Sequence, residues 1–184
     1  MRIEPAELAD VKIIEPTVLT DARGSFFEAW QLERHARAGI PPLFVQDNLS
    51  RSLRGVLRGL HLQHPNGQGK LVMVVAGSIL DVAVDVRLGS PSFGRHTAVE
   101  LSDANHRQLW IPRGFAHGFY VLSASADVFY KCDAPYSQKD EKSIRWDDPA
   151  IGVRWPGASP ILSPRDAAAP LLADVADLPA YDAA

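Results

Sequence analysis

Three arginines crowded into one short segment are the densest group of like charges in the chain. Arg51, Arg54 and Arg58 lie in the segment RSLRGVLRGLH. Gly55 and Gly59 disfavour a helix there, so the guanidinium groups are expected to project from a strand or a turn. Guanidinium forks match phosphate oxygens through paired hydrogen bonds, which favours a site for a diphosphate. A solvated basic edge strand is the alternative interpretation.

One histidine lies at the end of this segment and a second lies shortly after it. His61 and His64 are three residues apart, and strand residues share a face only at even spacing. We therefore predict no shared metal ion at this pair, and a site without metal. His61 is then a candidate general base, because an imidazole titrates near neutrality. A carboxylate would have to orient it, and spacing does not choose among Asp81, Asp85 and Asp166. A purely structural histidine is the alternative.

A second motif, PRGFAHGF over residues 112–119, combines turn residues with a histidine. Proline and glycine predict a turn that delivers His117 to the start of a strand. The pattern matches the Pro-x-Gly-x-x-His part of a cupin motif, although the metal-binding His-x-His of cupins is absent at residues 61–64. Tyr130 lies on a later predicted strand beside Phe129. Their side chains face opposite ways, and the pattern alone allows either one to be core.

Strands dominate the expected secondary structure. Residues 80–87 alternate apolar and mostly polar side chains, as a strand does. The valine-rich stretch 71–76 precedes Gly77-Ser78 and predicts a hairpin with that strand. Helices are expected over residues 29–38 and 166–169. Further strands are predicted over residues 11–14, 24–28, 43–48, 96–101, 108–111, 117–122 and 127–132.

The frequency of short strands, with 13 glycines and 14 prolines among 184 residues, indicates an all-β fold. We predict one domain over residues 1–184, a jelly-roll barrel or sandwich with a few short helices. Residues 172–184 are small and acidic, and we expect them to form a loose C-terminal tail. An eight-stranded barrel of this kind is wide enough inside for a small ligand.

Composition excludes several classes of protein. The net charge of −3 lacks the basic surplus of a nucleic-acid-binding protein. No apolar run approaches the roughly 20 residues of a membrane helix, and the N-terminus lacks the pattern of a signal peptide. The single cysteine, Cys132, allows no internal disulfide, which suits a reducing cytoplasm.

The ordered series of motifs resembles the dTDP-4-dehydrorhamnose 3,5-epimerase family. The resemblance runs without a break from about residue 13 to residue 173. It covers the segments FVQDN (44–48), SRS (50–52), RGVLRGLH (54–61), GKLV (69–72), DVAVD (81–85), QLWIPRGFAHG (108–118), RWDDP (145–149) and LSPRD (162–166).

This resemblance implies a cupin-like homodimer with exchanged N-terminal strands and no metal or other cofactor. It implies inversion of C3 and C5 of a 4-keto-6-deoxyhexose linked to dTDP, through enolates. By motif, His61 resembles the base, Asp166 its orienting carboxylate, Lys70 the cation at the enolate oxygen and Tyr130 the acid. Residues that match substrate-contacting positions are Arg23, Glu28, Gln46, Asn48, Arg58, Lys70, His117, Tyr136, Glu141 and Arg165, with Tyr136 matching the ring that stacks on thymine.

Two positions depart from the family pattern. Leu62 replaces a common aromatic residue and Met73 replaces a common arginine, which leaves the sugar stereochemistry open. A mono-epimerase acting at C3 or C5 alone is the nearest alternative, and a 3,4-ketoisomerase matches the motifs less well. A non-catalytic sugar-nucleotide-binding cupin is the alternative from another class, and the presence of all four reaction residues argues against it.

Overall fold

Two antiparallel β-sheets form the framework of the chain in a computed structural model, which describes residues 1–182. The strands are β1 (Arg2–Pro5), β2 (Lys12–Glu15), β3 (Leu19–Asp21), β4 (Gly24–Phe26), β5 (Gln46–Leu53), β6 (Leu57–Gln63), β7 (Lys70–Ala76), β8 (Ser78–Asp85), β9 (His96–Ser102), β10 (Gln108–Ile111), β11 (Phe115–Val121), β12 (Ser125–Cys132) and β13 (Glu141–Ser143). One sheet has the order β1-β2-β10-β7-β12-β5 and the other β13-β6-β11-β8-β9, with β3 and β4 pairing separately. The all-β prediction is confirmed.

The helices are few and short. They are α1 (Leu32–Arg37), α2 (Pro164–Ala167) and two 3-10 turns, Gln138–Asp140 and Leu172–Asp174. Helix α2 begins two residues before the predicted 166–169 segment, because Ser163 caps it and Pro164 suits its first position. No helix among residues 1–182 has the length and apolar character needed to cross a membrane.

The predicted hairpin at Gly77 is wrong. Strands β7 and β8 follow each other directly, yet they belong to different sheets. Gly77 has φ +83°, and a Cβ there would lie 2.1 Å from the carbonyl oxygen of Ser125. The turn chemistry marked a change of direction correctly. It could not indicate which strand β7 would pair with, since that depends on β10 and β12.

Both faces of β8 are buried. Its apolar face carries Val82 and Val84, which pack outward against the C-terminal part of the chain. Its other face carries Asp81, Ala83 and Asp85, all buried as well. Ala83 belongs to the main core between the sheets. The alternation therefore directs the carboxylate-bearing face toward the interior, where polar groups need partners.

The C-terminal segment is not a loose tail over residues 172–182. Leu172 and Leu178 are buried in the second core, against the outer face of the five-stranded sheet. Leu88 forms a parallel bridge with Ala180, and the Tyr181 amide donates to the Leu88 carbonyl at 2.9 Å. Composition gave no sign of this, because the apolar surface that the segment covers lies in distant strands. Residues 183–184, the end of the predicted tail, lie outside the described residues.

Candidate active site

A cavity of about 390 Å³ lies between the two sheets and is closed on one side by α2. Strand β6 contributes His61 from the five-stranded sheet, while β7 and β12 contribute Lys70 and Tyr130 from the six-stranded sheet. Asp166 reaches the cavity from α2. The four residues for which the family resemblance implies a role in the reaction thus line one cavity. His61 and Tyr130 stand on opposite walls, since their strands belong to different sheets.

His61 and Asp166 form a direct pair. The Nε2 atom of His61 lies 2.6 Å from Oδ1 of Asp166. A proton on Nε2, donated to the carboxylate, leaves the Nδ1 lone pair free to accept another proton. Burial by itself raises the pKa of Asp166, but the hydrogen bonds from His61 and Ser163 outweigh it and hold this pKa below its ordinary value. The carboxylate of Asp166 is therefore favoured in its charged form, and it fixes the orientation of the His61 ring.

A second histidine–carboxylate pair lies next to the first. Nε2 of His117 lies 2.9 and 3.0 Å from the two carboxylate oxygens of Asp81. His117 is paired across the strands with His61, and it also lines the cavity. Asp81 is fully buried. Of the three carboxylates that the sequence left open, Asp81 therefore serves His117 and Asp166 serves His61.

Asp85 has a structural environment away from the cavity. Its carboxylate accepts hydrogen bonds from the side chains of Arg87, Ser90 and Ser92. Burial raises the pKa of Asp85, but these donors and the Arg87 amide prevail and lower it from 3.8 to about 2. Asp85 thus fixes the loop that follows β8 and takes no part in the cavity.

Lys70 and Tyr130 are diagonal neighbours on adjacent strands. Lys70 faces Cys132 across the β7–β12 pair, and Tyr130 faces Val72. Burial lowers the pKa of the Lys70 ammonium, against the opposing field of Cys132, Asp81 and Glu141. Burial also raises the pKa of the Tyr130 phenol. The amine of Lys70 and the phenol of Tyr130 thus share one wall of the cavity.

Two arginines from distant parts of the chain supply positive charge to the cavity. The Nε atom of Arg58 donates to Ser52 Oγ at 2.9 Å, and Nε of Arg165 donates to Ser143 Oγ at 3.0 Å. Both arginines line the cavity. The guanidinium of Arg165 also contacts Glu141. Two guanidiniums held by neutral or acidic partners suit an anionic ligand.

The other two arginines of the sequence cluster do not join them. Arg51 pairs with Asp127 at 2.7 Å and is exposed, so the alternative of a solvated basic edge holds for this residue. Arg54 is exposed in the turn after β5. The cluster therefore supplies one cavity residue, Arg58.

Glu141 and Tyr136 extend the site beyond the arginines. The Tyr136 hydroxyl donates to Glu141 Oε2 at 2.6 Å, and the Tyr136 ring is half exposed. The Tyr136 amide donates to Gln46 Oε1 at 2.8 Å, and Gln46 in turn donates to Asn48 at 3.0 Å. Gln46 and Asn48 thereby connect the aromatic ring to β5, on the strand face that continues into the cavity.

Arg23 and Glu28 are not brought to the cavity within one chain. Arg23 lies in the β3–β4 hairpin, pairs with Asp21 and keeps 89% of its side chain exposed. Glu28 pairs with Arg34 at 3.0 Å. Neither residue is among those lining the cavity. Within a single chain, neither residue is therefore placed where it could contact a ligand in this cavity.

Sequence reasoning missed several cavity residues. Ser50, Phe119 and Ser163 line the cavity without having been singled out. Strand alternation offered a signal for the first two, since Ser50 lies two residues from Asn48 and Phe119 two residues from His117. Ser163 could have been recognised as the cap of the helix that presents Asp166.

His61 and His64 diverge, as strand geometry predicts. Nε2 of His64 lies 3.4 Å from Asp177, away from the His61–Asp166 pair. Within residues 1–182, no three His, Cys, Asp or Glu side chains are grouped so that they could hold a metal ion.

Known proteins are similar to this chain in both sequence and fold. A family model described as dTDP-4-dehydrorhamnose 3,5-epimerase matches residues 5–174. A dTDP-4-dehydrorhamnose 3,5-epimerase from Neisseria gonorrhoeae is 50% identical over 169 residues, which are 91% of this chain and 52% of that longer protein. The chain thus spans about half the length of that relative.

Two solved structures bear on the site. A dTDP-6-deoxy-D-glucose-3,5-epimerase from Legionella pneumophila, in complex with dTDP-4-keto-L-rhamnose, is 53% identical, covers 99% of both chains and has a TM-score of 0.96. A 3'-monoepimerase from Streptomyces bikiniensis, in complex with dTDP-quinovose, is 35% identical, covers 97% of this chain and 93% of its own, and has a TM-score of 0.91. These similarities confirm the cupin-like fold.

Proposed function

Since the chain belongs to the dTDP-4-dehydrorhamnose 3,5-epimerase family, we propose that it inverts C3 and C5 of dTDP-4-dehydro-6-deoxy-D-glucose. The product is dTDP-4-dehydro-L-rhamnose, a precursor of dTDP-L-rhamnose. The observation that carries the proposal is the placement of His61, with Asp166 behind it, across the cavity from Tyr130. A base and an acid on opposite walls are what inversion at carbon requires.

His61 removes the proton from carbon. The C4 ketone makes the hydrogens on C3 and C5 acidic, because loss of either proton gives an enolate. With Nε2 hydrogen-bonded to Asp166, the Nδ1 atom is the base. The charged carboxylate stabilises the imidazolium that forms. Asp166 acts here as a positioning residue.

Lys70 stabilises the enolate oxygen. Its ammonium lines the cavity, and no described acceptor lies within hydrogen-bond distance of it. A fixed cation directed at developing negative charge contributes about 3–4 kcal/mol when it replaces one oxyanion-hole donor. The His117–Asp81 pair supports the same oxygen from the five-stranded sheet, on the opposite side of the cavity.

Tyr130 returns a proton on the opposite face. Burial raises the pKa of its phenol, so the hydroxyl holds its proton until a carbanion forms beside it. Protonation from the wall opposite His61 inverts the centre. Repeating the cycle at the second carbon completes the reaction, without a cofactor.

The nucleotide occupies the cationic end of the cavity. Arg58 and Arg165 bind the diphosphate, and the Tyr136 ring stacks on thymine. Gln46, Asn48 and Glu141 complete the contacts with the nucleotide sugar. Binding at this end leaves the hexose between His61 and Tyr130.

Incubation with dTDP-4-keto-6-deoxyglucose in deuterated water tests the reaction. We expect deuterium at both C3 and C5, read by NMR or mass spectrometry. Label at one carbon alone would support a mono-epimerase, the second candidate, which the likeness to the Streptomyces bikiniensis enzyme favours. Binding without label would support a non-catalytic sugar-nucleotide-binding protein.

We further propose a homodimer that exchanges N-terminal strands and lends Arg23 and Glu28 to the partner's cavity. Support comes from the exposure of Arg23 and from apolar side chains left uncovered on the outer face of the six-stranded sheet, including Leu49, Leu53 and Val75. Light scattering should give twice the chain mass. Arg23→Ala should raise KM, and a monomeric, fully active protein would contradict the dimer.

We also propose that the protein works in the cytoplasm as one domain. The sole cysteine, Cys132, is buried and free, which suits a reducing compartment. Cell fractionation followed by detection of the protein tests the location.

A further inference from the structure

Ser50 carries a buried hydroxyl without a hydrogen-bond partner. Its Oγ atom and Nε2 of His35 are the side-chain polar atoms with this property among residues 1–182. His35 lies apart from the cavity, in helix α1, whereas Ser50 lines it. A buried hydroxyl that forms no hydrogen bond costs about 1–3 kcal/mol, so this one needs a physical reason.

The position of Ser50 on β5 indicates what it could contact. Asn48, two residues before it, faces Tyr130 across the β5–β12 pair. Ser52, two residues after it, accepts the hydrogen bond from Arg58. Residues at even spacing share a strand face. Ser50 therefore lies between the end of the cavity that holds the phenol and the end that holds the guanidinium.

We propose that Ser50 binds substrate, donating a hydrogen bond to an oxygen of the nucleotide sugar where the diphosphate joins the hexose. This inference rests on the proposed function, which places the diphosphate at Arg58 and the hexose at Tyr130. A serine hydroxyl rotates about one bond among three staggered positions, so it can turn from its buried position to a ligand acceptor. The phosphoryl oxygens and the sugar hydroxyls at that junction are both acceptors of this kind.

The melting temperature of Ser50→Ala distinguishes a ligand-binding role of the hydroxyl from a structural one. A hydroxyl that held the strand in place would have a protein partner, and its loss would lower the melting temperature. Ser50→Ala removes an unsatisfied buried group, so the ligand-free variant should melt at the same temperature as the wild type or higher. Stability and ligand binding should therefore change in different directions.

Calorimetric titration with dTDP and with dTDP-glucose tests the proposal. Ser50→Ala should bind dTDP-glucose about tenfold more weakly than the wild type. An equal loss for dTDP would assign the contact to a phosphoryl oxygen, and a loss confined to dTDP-glucose would assign it to the hexose. Ser50→Cys keeps the side-chain size with a weaker donor and should show the same pattern.

Ser125→Ala is the matched control. Ser125 lies on β12, its side chain forms no hydrogen bond in the described residues, and it does not line the cavity. We expect this variant to bind both ligands as the wild type does. In turnover, Ser50→Ala should raise KM for the keto sugar, whereas Ser125→Ala should not.

The outcomes separate this inference from the proposed function. Wild-type affinity and KM in Ser50→Ala would overturn the role of Ser50 while leaving the epimerase intact. A wild-type protein that binds neither nucleotide would overturn both. A wild-type protein that binds both nucleotides but exchanges no deuterium would overturn the epimerase alone, and the variant's affinities would still decide the role of Ser50.

Discussion

The Nε2 atom of His61 lies 2.6 Å from Oδ1 of Asp166, although 105 residues separate them in the chain. Strand β6 fixes the histidine, and the Ser163-capped helix α2 fixes the carboxylate. This contact selects Asp166 from three candidate carboxylates. It also decides which ring nitrogen of His61 faces the substrate.

Asp166→Asn should lower kcat for deuterium exchange by about 10²–10⁴-fold, the range of general acid–base effects. An asparagine cannot stabilise the imidazolium of His61, while substrate binding through the arginines persists, so KM should change little.

His61→Asn should abolish exchange at both carbons. Exchange that persists at one carbon in His61→Asn would mean that a second base exists.

Tyr130→Phe should separate proton removal from proton return. His61 can still form the enolate, so exchange should continue at a reduced rate. Inversion should fall by about 10²-fold or more, because the opposite wall no longer supplies a proton. NMR of the recovered sugar compares label with configuration. Normal yields of inverted product would show that another group is the acid.

Lys70→Met should reduce activity and raise stability together. The loss of the cation should lower kcat by about 10²–10³-fold. Burial disfavours the charged lysine, so an apolar chain of similar length should raise the melting temperature. A lower melting temperature in a folded variant would contradict this account.

The pH dependence of kcat in the wild type should report the protonation of Lys70. Since burial lowers the pKa of Lys70 from 10.5, the ammonium loses its proton at a lower pH than an exposed lysine does. We expect kcat to fall on the alkaline side before the ordinary lysine range is reached. Lys70→Arg should move that fall to higher pH, provided that residual activity is measurable.

Asp85 should stabilise the fold at neutral pH and make it sensitive to acid. Its pKa is about 2 in the folded chain, against an ordinary 3.8. The folded state therefore holds the charged form more firmly than the unfolded state does, which gives about 2 kcal/mol above pH 4. That contribution is lost as the pH falls from about 4 to 2. Urea unfolding of Asp85→Asn should show a deficit at pH 7 that narrows toward pH 2.

Chelation should leave activity unchanged. The proposed steps use only protein side chains, and His61 forms its hydrogen bond with Asp166. Dialysis against EDTA followed by the deuterium assay tests this point. Activity lost on dialysis and restored by a divalent cation would contradict it.

The local sequence determined the type of structure and the chemistry available. Period-two alternation identified strands, and it placed Asp81 and Asp85 together on the face of residues 80–87 opposite the valines. The ordered motifs identified the family and, through it, His61, Lys70, Tyr130 and Asp166. These features depend on neighbouring residues or on residue types, so they can be recognised along the chain.

Tertiary structure alone decided the pairings. β7 and β8 separate into two sheets at Gly77, Leu172 and Leu178 cover the second core, and only Arg58 of the arginine cluster reaches the cavity. Each outcome depends on which distant strand or helix supplies a partner. Hydrogen bonds and apolar burial stabilise contacts between residues that are close in space, whatever the separation of those residues in the sequence. For this reason residue spacing could not match His61 to Asp166, a pairing that only the family resemblance implied, and nothing in the sequence matched His117 to Asp81.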